Sequence, residues 1–256
     1  MEEQRSFSRH KTDMGFDTRY WGPSAWQLLH LIAFHSKHPD AFLKCLPHIL
    51  PCPFCRESTA TFMNELPLQG ERGRWMYELH NKVNHKLRTQ ASQDPAVIDP
   101  GPNPSFEDVK RRYAEMKATN IPGRDFLFVV AANFPDQPTE DEIAHHECFL
   151  RELVRVYPFE TMRHAAQTYM ASHPPSLTNH KTFMKWMYGL LKQLAEHAKV
   201  PILSYNGFVQ RVMYYKSGCA KKTYKGKTCR KTQSGGRTKV RENRITRKNA
   251  YSVLLH

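Results

Sequence analysis

The most informative part of the chain is Pro51-Cys52-Pro53-Phe54-Cys55, which is followed by His80-Asn81-Lys82-Val83-Asn84-His85-Lys86. The first stretch holds two cysteines at a spacing that lets their sulfurs meet across one helical turn and cycle between dithiol and disulfide. Pro53 suits the first position of a helix, so the first cysteine would lie near unpaired N–H groups and the positive end of the helix dipole. Such a position favours a thiolate, and the motif therefore predicts a reactive dithiol at the start of a helix.

Three other interpretations of the two cysteines stay open at this point. A structural zinc site needs a second pair of ligands, and His80 and His85 are five residues apart, which places them on different faces of a helix. A thioredoxin-like domain needs strands that alternate with helices around the motif. A purely structural disulfide needs only burial. The lack of suitable ligands and strands in the sequence favours the redox interpretation, and we expect no metal site.

The surrounding sequence predicts a compact all-helical domain. Apolar residues recur at helical spacing, and we expect helices over 22–36, over 39–49, from the CxxC motif onward, over 72–88 and, behind a capping residue at Ser105, over 105–119. Short helices with short connections are typical of a four-helix bundle, here with a short fifth helix. No stretch approaches the roughly 20 consecutive apolar residues of a membrane span.

The predicted fourth helix carries two stripes of different chemistry. An apolar stripe is formed by Trp75, Leu79, Val83 and Leu87. A polar stripe runs beside it at helical spacing and is formed by Tyr77, His80, Asn81, Asn84 and Arg88. This combination predicts that one face of the helix packs in the core while its neighbour binds a polar ligand.

The second half of the chain resembles the first at a constant offset of 107 residues, with residues 41–51 matching 148–158. After a four-residue insertion, Trp75-Met76-Tyr77 matches Trp186-Met187-Tyr188. We interpret this as a degenerate internal duplication, although two helical segments can share apolar periodicity by chance. The copy keeps the apolar framework and loses the polar residues: Phe159 and Met162 replace the two cysteines, and Leu191, Lys192 and Ala195 replace His80, Asn81 and Asn84.

In these motifs the chain resembles the Erv/ALR family of flavin-dependent sulfhydryl oxidases. The family's first helix carries a WG…W..LH pattern, found here as Trp21-Gly22, Trp26 and Leu29-His30. Its redox helix begins with Pro-Cys-x-x-Cys, found at 51–55, and its fourth helix carries a W…LHN.VN.KL pattern, found at 75–87. The resemblance covers about residues 19–120 and implies a helical bundle that holds FAD non-covalently beside the CxxC motif.

The resemblance also implies a role for each matching residue. Cys55 would face the flavin and pass electrons to it, and Cys52 would be the more accessible sulfur, attacked by an incoming thiolate. Tyr113 on the fifth helix is a further candidate, for contact with the adenine. The other residues implied to contact FAD are Trp21, Gly22, Trp26 and His30 in the first helix and Trp75, His80, Asn81, Val83, Asn84 and Lys86 in the fourth.

The remaining four cysteines have no tight spacing. Family members commonly carry a second cysteine pair on a flexible segment that relays electrons to the CxxC motif. The candidates for such a shuttle are Cys219 and Cys229, which could instead form a disulfide that closes the tail or stay free. Cys45 and Cys148 fall at non-equivalent positions of the repeat, and each is interpreted as a small buried apolar residue.

Positive charge is concentrated at the C-terminal end. The whole chain has a net charge of +14, and residues 216–256 contain thirteen Lys and Arg but one acid, Glu242. We expect this basic tail not to fold alone. It would bind nucleic acid or an acidic partner, or would only aid solubility.

Together these patterns divide the chain into a flexible leader (1–18), a catalytic FAD-binding domain (19–120), a degenerate pseudo-oxidase domain (121–215) and a basic, disordered tail (216–256). The expected activity is an FAD-dependent thiol oxidase that passes electrons from protein dithiols to molecular oxygen. The alternative is a structural or nucleic-acid-binding protein built on an oxidase-derived fold. The second domain would either form an internal pseudo-dimer with the first or join a homodimer.

The N-terminal sequence gives an expectation about location. Residues 1–20 contain early acids and no apolar core of a secretory signal, and the acids argue against a mitochondrial transit peptide. We therefore expect a protein of a large DNA virus that acts in the host cytoplasm or the virion. The alternative is the mitochondrial intermembrane space.

Overall fold

The structure is a computed structural model, and it describes residues 15–94, 97–221 and 229. This part of the chain forms ten helices and no strand, apart from one isolated bridge between Phe16 and Lys216. The predicted all-helical class is therefore confirmed. The helices are α1 Thr18–His35, α2 Asp40–Ile49, α3 Pro53–Glu65, α4 Arg72–Ala91, α5 Phe106–Ala114, α6 Arg124–Ala132, α7 Glu140–Val156, α8 Glu160–Ser172, α9 His180–Ala198 and α10 Tyr205–Tyr214.

The first helix begins about one turn earlier than the sequence predicted. Asp17 caps α1 by accepting a hydrogen bond from the backbone N–H of Arg19, so that Pro23 lies inside the helix rather than in its first turn. Residues 15–18, which were expected to belong to a flexible leader, are part of the fold. The reason is that Phe16 is fully buried in the core.

The fifth helix is shorter than expected. Ser105 caps α5 as predicted, because its hydroxyl accepts a hydrogen bond from the backbone N–H of Asp108. The helix ends at Ala114 rather than near residue 119. Its buried face, formed by Val109 and Tyr113, packs on α1.

Helices α1 to α5 form the first bundle. α1 packs along α4 and α5, and α2 packs on α3. Gly73 allows a close approach to α1, since a Cβ atom there would lie 2.4 Å from the ring of Phe34. α3 and α4 touch each other little, and the space between them opens next to the CxxC motif.

Helices α6 to α9 follow the order of α1 to α4, in agreement with the internal duplication. α3 and α8 have the same length of 13 residues, and their bounds differ by 107 at both ends. Trp75 Nε1 donates to the carbonyl of Leu66 at 3.0 Å, and Trp186 Nε1 donates to the carbonyl of His173 at 2.6 Å. Leu66 and His173 are the C-cap residues of α3 and α8, so the two tryptophans make the same framework contact.

A second framework contact is also repeated. Arg56 Nη1 donates to the carbonyl of Leu50 at 2.8 Å, and Arg163 Nη1 lies 3.4 Å from the carbonyl of Tyr157. Both pairs bridge the connection into the third helix of their half. The duplication is therefore visible in hydrogen bonds as well as in apolar periodicity.

The two halves pack against each other through matching helices. α2 lies along α7, and α1 lies along α6. The rings of Phe42 and Phe149 stack at the first of these contacts, with centroids 5.6 Å apart. One buried core runs through both halves, so the halves form a single body.

After α10 the chain returns to the first half. Lys216 forms its bridge with Phe16, and Cys219 forms a disulfide with Cys229. Residues 216–221 and 229 are thus part of the fold, although the sequence assigned them to a disordered tail. No helix within the described ranges is long and apolar enough to cross a membrane.

The rest of the predicted leader and tail, residues 1–14, 222–228 and 230–256, lies outside the described residues. The same is true of most of the basic residues that were expected to bind nucleic acid or an acidic partner. That interaction stays a prediction.

Candidate active site

The CxxC motif begins α3, as its sequence predicted. Cys52 is the N-cap residue, and its Sγ accepts a hydrogen bond from the backbone N–H of Cys55 at 3.2 Å. Pro53 lies in the first turn, where a backbone N–H would have no partner within the helix. Both cysteines are free thiols in this structure.

The two thiols differ in acidity. Burial alone would raise the pKa of Cys52, but hydrogen bonds from Cys55, the charge of Arg56 and a hydrogen bond from the backbone of Cys229 hold this pKa below its ordinary value. The hydrogen bond to Cys52 raises the pKa of Cys55 well above its ordinary value, and burial adds to the effect. Cys52 is therefore the more acidic thiol of the pair, and Cys55 is the less acidic one.

The exposure of the two sulfurs is opposite to the expectation from the family resemblance. Cys52 is 1% exposed, whereas Cys55 is partly exposed. The reason is the position of Cys229, whose backbone hydrogen-bonds to the Cys52 thiol. The residue implied to receive an incoming thiolate is thus covered by Cys229 of the second cysteine pair.

The Cys219–Cys229 disulfide is anchored at both of its cysteines. The carbonyl of Cys229 accepts hydrogen bonds from the backbone N–H of Thr18 at 2.9 Å and from its Oγ1 at 3.3 Å. Gly15, with φ +57°, lies against Cys219, and a Cβ atom there would lie 2.5 Å from the sulfur. Cys219 and Cys229 are therefore joined by a disulfide in the structure and are not free thiols.

A cavity of about 260 Å³ lies between α1, α3, α4 and the loop 98–104. Most of its wall is apolar, and the sulfur pair lies at one side. Cys229 of the predicted shuttle pair lines it. So do nine of the residues predicted to be catalytic or to contact FAD: Trp21, Gly22, Trp26, Cys52, Cys55, His80, Val83, Asn84 and Lys86.

One wall of the cavity is a stack of aromatic rings. The imidazole of His80 lies flat on Trp26, with ring centroids 3.8 Å apart. His80 Nδ1 and His30 Nε2 are 2.9 Å apart, and His30 stacks on Tyr113 with centroids 4.6 Å apart. His30 and Tyr113 therefore form a layer behind His80 and do not line the cavity.

Burial keeps the rings of His30, His80 and Tyr113 uncharged. It lowers the pKa of His30, with a further lowering by His80, and it lowers the pKa of His80 to about 3. It also raises the pKa of Tyr113 to about 12. The three rings are therefore neutral near neutral pH and can act as hydrogen-bonding and stacking surfaces.

A second, more open cavity of about 710 Å³ adjoins the first and shares Ser58, Phe62 and Lys86 with it. Asn81, the tenth predicted residue, lines this cavity together with Lys82 and Arg88. Lys86 Nζ donates to the hydroxyl of Ser58. Glu65 and Glu78 also line it, and Lys82 Nζ donates to Glu65 at 2.8 Å, so Lys86, Arg88 and Asn81 are the groups that suit phosphates.

Trp75 is not brought to the site. It is buried in the core, its Nε1 donates to the carbonyl of Leu66, and it lines neither cavity. Trp186 makes the same contact in the half that lacks the CxxC motif. The structure therefore places Trp75 in the framework, and its expected contact with FAD stays a prediction.

Sequence reasoning missed several residues at the cavity. Gln90 lies seven residues after Val83, so the periodicity of α4 could have indicated it. Arg56 directly follows the CxxC motif, but nothing in its spacing marks its charge as acting on Cys52. The loop prolines Pro100, Pro102 and Pro104 carry no local signal of a binding wall.

The cavity residues fit a flavin nucleotide. Gln90 Oε1 is buried and has no hydrogen-bond partner among the described residues, so a ligand in the cavity could supply one. Gly22 faces open space, since no atom lies within 4 Å of a Cβ built there. The flat surface formed by Trp26 and His80 suits a planar ring system.

The second half has closed the equivalent space. α8 packs closely along α9, whereas α3 and α4 diverge. Gly189 takes the position of Glu78, and a Cβ there would lie 1.9 Å from the hydroxyl of Tyr169, which takes the position of Phe62. The buried Leu191 replaces His80. The framework is kept in this half, and the cavity is not.

The fold and the site define a class of protein: a helical bundle with an activated dithiol at a helix start beside an aromatic, partly basic cavity. The model of the Erv1 / Alr family matches residues 23–100 and 125–212, together about two thirds of the chain. The chain therefore belongs to the Erv1/Alr family. The second of the two matches falls on the degenerate half.

Two relatives are similar to parts of the chain. The mitochondrial FAD-linked sulfhydryl oxidase ERV1 of Saccharomyces cerevisiae is 36% identical over a segment that covers 28% of this chain and 45% of the yeast protein. A protein of Invertebrate iridescent virus 6 whose name places it among FAD-linked sulfhydryl oxidases, 347L, is 26% identical over 28% of this chain and 82% of its own length. The match thus spans less than half of the yeast relative. No solved structure matches the chain.

Proposed function

We propose that this chain is an FAD-dependent thiol oxidase that forms disulfides in protein substrates. Electrons would pass from a substrate dithiol to the Cys52–Cys55 pair, then to FAD and to molecular oxygen, which gives hydrogen peroxide. One observation carries the proposal: Cys55 is partly exposed at a cavity with an aromatic wall, while hydrogen bonds and the charge of Arg56 hold the pKa of Cys52 beside it below its ordinary value. Membership of the Erv1/Alr family and the FAD-linked names of both relatives support it.

The two adjoining cavities would hold FAD. The stacked rings of Trp26 and His80 would lie against the flat ring system, with Gly22 leaving room for it. Lys86 and Asn81 would bind the polar nucleotide portion. When bound, FAD supplies a two-electron acceptor that a dithiol can reduce and oxygen can reoxidise.

The second cysteine pair would relay the electrons. A substrate thiolate attacks the Cys219–Cys229 disulfide and forms a mixed disulfide with one of the two cysteines. The second substrate thiol then attacks the substrate sulfur of this mixed disulfide, so that the substrate leaves oxidised and two thiols remain on the chain. One of these thiolates then attacks Cys52 in the oxidised Cys52–Cys55 pair. This exchange restores the Cys219–Cys229 disulfide and leaves the CxxC motif as the dithiol. The backbone contact of Cys229 with Cys52 supports this route.

The cofactor and the electron path can be tested in one experiment. We expect the purified protein to show a flavin absorption band at about 450 nm and to consume oxygen when dithiothreitol is the substrate. Cys55→Ser should abolish turnover and keep the band. Met162→Leu changes the residue at the position of Cys55 in the second half and should leave turnover unchanged. Protein that binds no flavin after refolding with FAD, or a Cys55→Ser variant that still turns over, would contradict the proposal.

The relay predicts a difference between large and small substrates. Removing both relay sulfurs, in Cys219→Ser with Cys229→Ser, should lower kcat/KM for a reduced unfolded protein by at least about tenfold. The loss should be much smaller with dithiothreitol, because a small dithiol needs less room than a protein to reach Cys52 once the disulfide no longer holds Cys229 against it. Equal losses with both substrates would assign the disulfide a structural role only.

The relatives and the packing support two further parts of the proposal. One relative is named mitochondrial and the other is viral, which agrees with the two locations expected from the sequence: host cytoplasm or virion, and the intermembrane space. The pairing of α2 with α7 supports an internal pseudo-dimer in place of a homodimer. Sedimentation equilibrium should then give the monomer mass of 29.9 kDa, and a dimer mass would reject this part.

A further inference from the structure

Two cysteines outside the proposed active site meet where the halves of the molecule pack together. Cys45 lies in α2 and Cys148 lies in α7, 103 residues further along the chain. Their Sγ atoms are 3.6 Å apart. The sequence suggested two unrelated buried apolar residues, because the positions are not equivalent in the repeat. The structure instead places them side by side, across the contact between α2 and α7.

The surroundings suit a pair that can be oxidised. A disulfide has an S–S distance of about 2.05 Å, so the sulfurs must approach by roughly 1.5 Å, a distance that small side-chain rotations can cover. Cys45 is buried and Cys148 is partly exposed, which lets an oxidant reach one of the two sulfurs. Arg151 Nη2 lies 3.4 Å from Cys148 Sγ, within reach to donate to a thiolate there.

A metal site does not account for the pair. His48 and His145 stack one helical turn away, with ring centroids 3.9 Å apart, and these two rings would be the obvious further ligands. Within residues 15–94, 97–221 and 229, however, no group of three or more His, Cys, Asp or Glu side chains is arranged to hold a metal ion. Two sulfurs in contact, with no such group around them, are better suited to a covalent link.

We propose that Cys45 and Cys148 form a reversible disulfide that links the two halves of the molecule. This inference does not depend on the proposed oxidase activity. It assigns a redox modification site to the interface, and its oxidant is a small disulfide such as oxidised glutathione.

The reaction proceeds by two thiol–disulfide exchanges. The Cys148 thiolate attacks one sulfur of oxidised glutathione, whose S–S bond breaks, and one glutathione thiolate leaves. Cys45 loses its proton and attacks the Cys148 sulfur, which forms the protein disulfide and releases the second glutathione. The two cysteines lose two electrons and two protons, and the oxidant becomes two glutathione thiols. Cys148 attacks first because it is the partly exposed cysteine, whereas Cys45 is buried; burial, followed by the contact with Cys148, raises the pKa of Cys45 to about 12.

The disulfide would restrict the motion of α2, the helix that directly precedes the CxxC motif. α2 ends at Ile49, three residues before Cys52, and it also packs on α3. A bond from α2 to α7 closes a loop of about one hundred residues, a length at which cross-links strongly restrict the unfolded chain. Oxidation should therefore raise the Tm of the protein by at least about 5 °C.

The test isolates this pair from the other four cysteines. In the full-length variant Cys52→Ser, Cys55→Ser, Cys219→Ser, Cys229→Ser, the remaining thiols are Cys45 and Cys148. Incubation with oxidised glutathione, followed by alkylation in denaturant and mass spectrometry, should convert two free thiols into none, without bound glutathione and with the rise in Tm. A matched variant that also carries Cys45→Ser should instead retain glutathione on Cys148.

The outcomes separate the possibilities. Two free thiols, or glutathione held on both cysteines, would overturn the proposal. If the fourfold variant does not fold, the same question is answered on the wild-type chain by peptide mapping without reductant. A covalent link between the peptides that contain Cys45 and Cys148 is then expected, and its absence after oxidation overturns the proposal. The fourfold variant lacks the CxxC cysteines, so its result does not depend on oxidase activity.

Discussion

The buried histidine pair predicts a defined loss of stability in acid. His30 Nε2 and His80 Nδ1 are 2.9 Å apart, and both rings lie between Trp26 and Tyr113. Burial lowers the pKa of both histidines, that of His80 to about 3. In the unfolded chain each would titrate near its ordinary pKa of about 6.5.

The sign follows from proton binding. Between the folded and unfolded pKa values the unfolded chain binds protons that the folded chain does not, so stability is full above about pH 6.5 and falls as the pH drops below it. One such histidine loses about 1.4 kcal/mol of unfolding free energy between about pH 7.5 and about pH 5.5. Two lose about 2.7 kcal/mol, which is the upper limit here because His80 is partly exposed at the cavity.

Urea unfolding followed by tryptophan fluorescence measures this loss. Trp21, Trp26 and Trp75 all lie in the first half and report on its unfolding. With an m-value of about 3 kcal/mol per M, the midpoint should fall by about 0.5 to 0.9 M between the two pH values. His80→Asn removes one titrating ring and should reduce the loss by up to about 1.4 kcal/mol. His197→Asn, at an exposed position of α9, is the matched control and should lose as much as the wild type.

An equal loss in the wild type and in His80→Asn would refute this reasoning. A wild-type midpoint that does not change with pH would also refute it. His48 is half-buried, and burial lowers its pKa as well. Its contribution is present in all three proteins and cancels in their comparison.

Three further predictions concern Gly22 at the cavity, Arg56 beside Cys52, and Gly123, which packs against α1. Gly22→Leu fills open space at the cavity and should lower flavin retention in gel filtration without lowering Tm, whereas Gly22→Ala should keep the flavin and stabilise α1 by up to about 1 kcal/mol. Arg56→Met removes the positive charge beside Cys52 and should move the pH profile of Cys52 alkylation upward by about one unit, while Arg56→Lys should stay near the wild type. Gly123→Ala combines a φ of +77° with a Cβ only 2.5 Å from Leu28, and it should cost about 2–4 kcal/mol in urea unfolding.

The parts of the site that could be predicted from sequence have local causes. Pro53 directly after a cysteine marks a helix start, and the helix start itself provides the N–H groups that favour a thiolate. The spacing of His80 and Asn84 places them on one face of α4, whatever the rest of the fold is. Both therefore lie at the cavity that the sequence predicted.

The parts that could not be predicted depend on contacts between distant residues. Helical periodicity gives Trp75 and Val83 the same stripe, yet one is core and the other lines the cavity, because the loop 98–104 and α3 enclose only one end of α4. Pro23 looks like the first residue of a helix, but pairing of Phe16 with Lys216 anchors the chain before it and lets α1 begin a turn earlier. The contact of Cys229 with the CxxC motif likewise joins residues far apart in the chain, so local sequence patterns do not indicate it.

Comparison of the two halves explains why the cavity is informative about function. The framework bonds do not require a cavity of about 260 Å³, because the second half makes the same bonds with Leu191 in place of His80 and with Tyr169 against Gly189. Packing apolar side chains at such positions contributes burial free energy that a polar cavity wall does not. The first half keeps a polar and aromatic lining and a Gln90 oxygen without a partner among the described residues, so its side chains suit a bound ligand rather than the tightest packing.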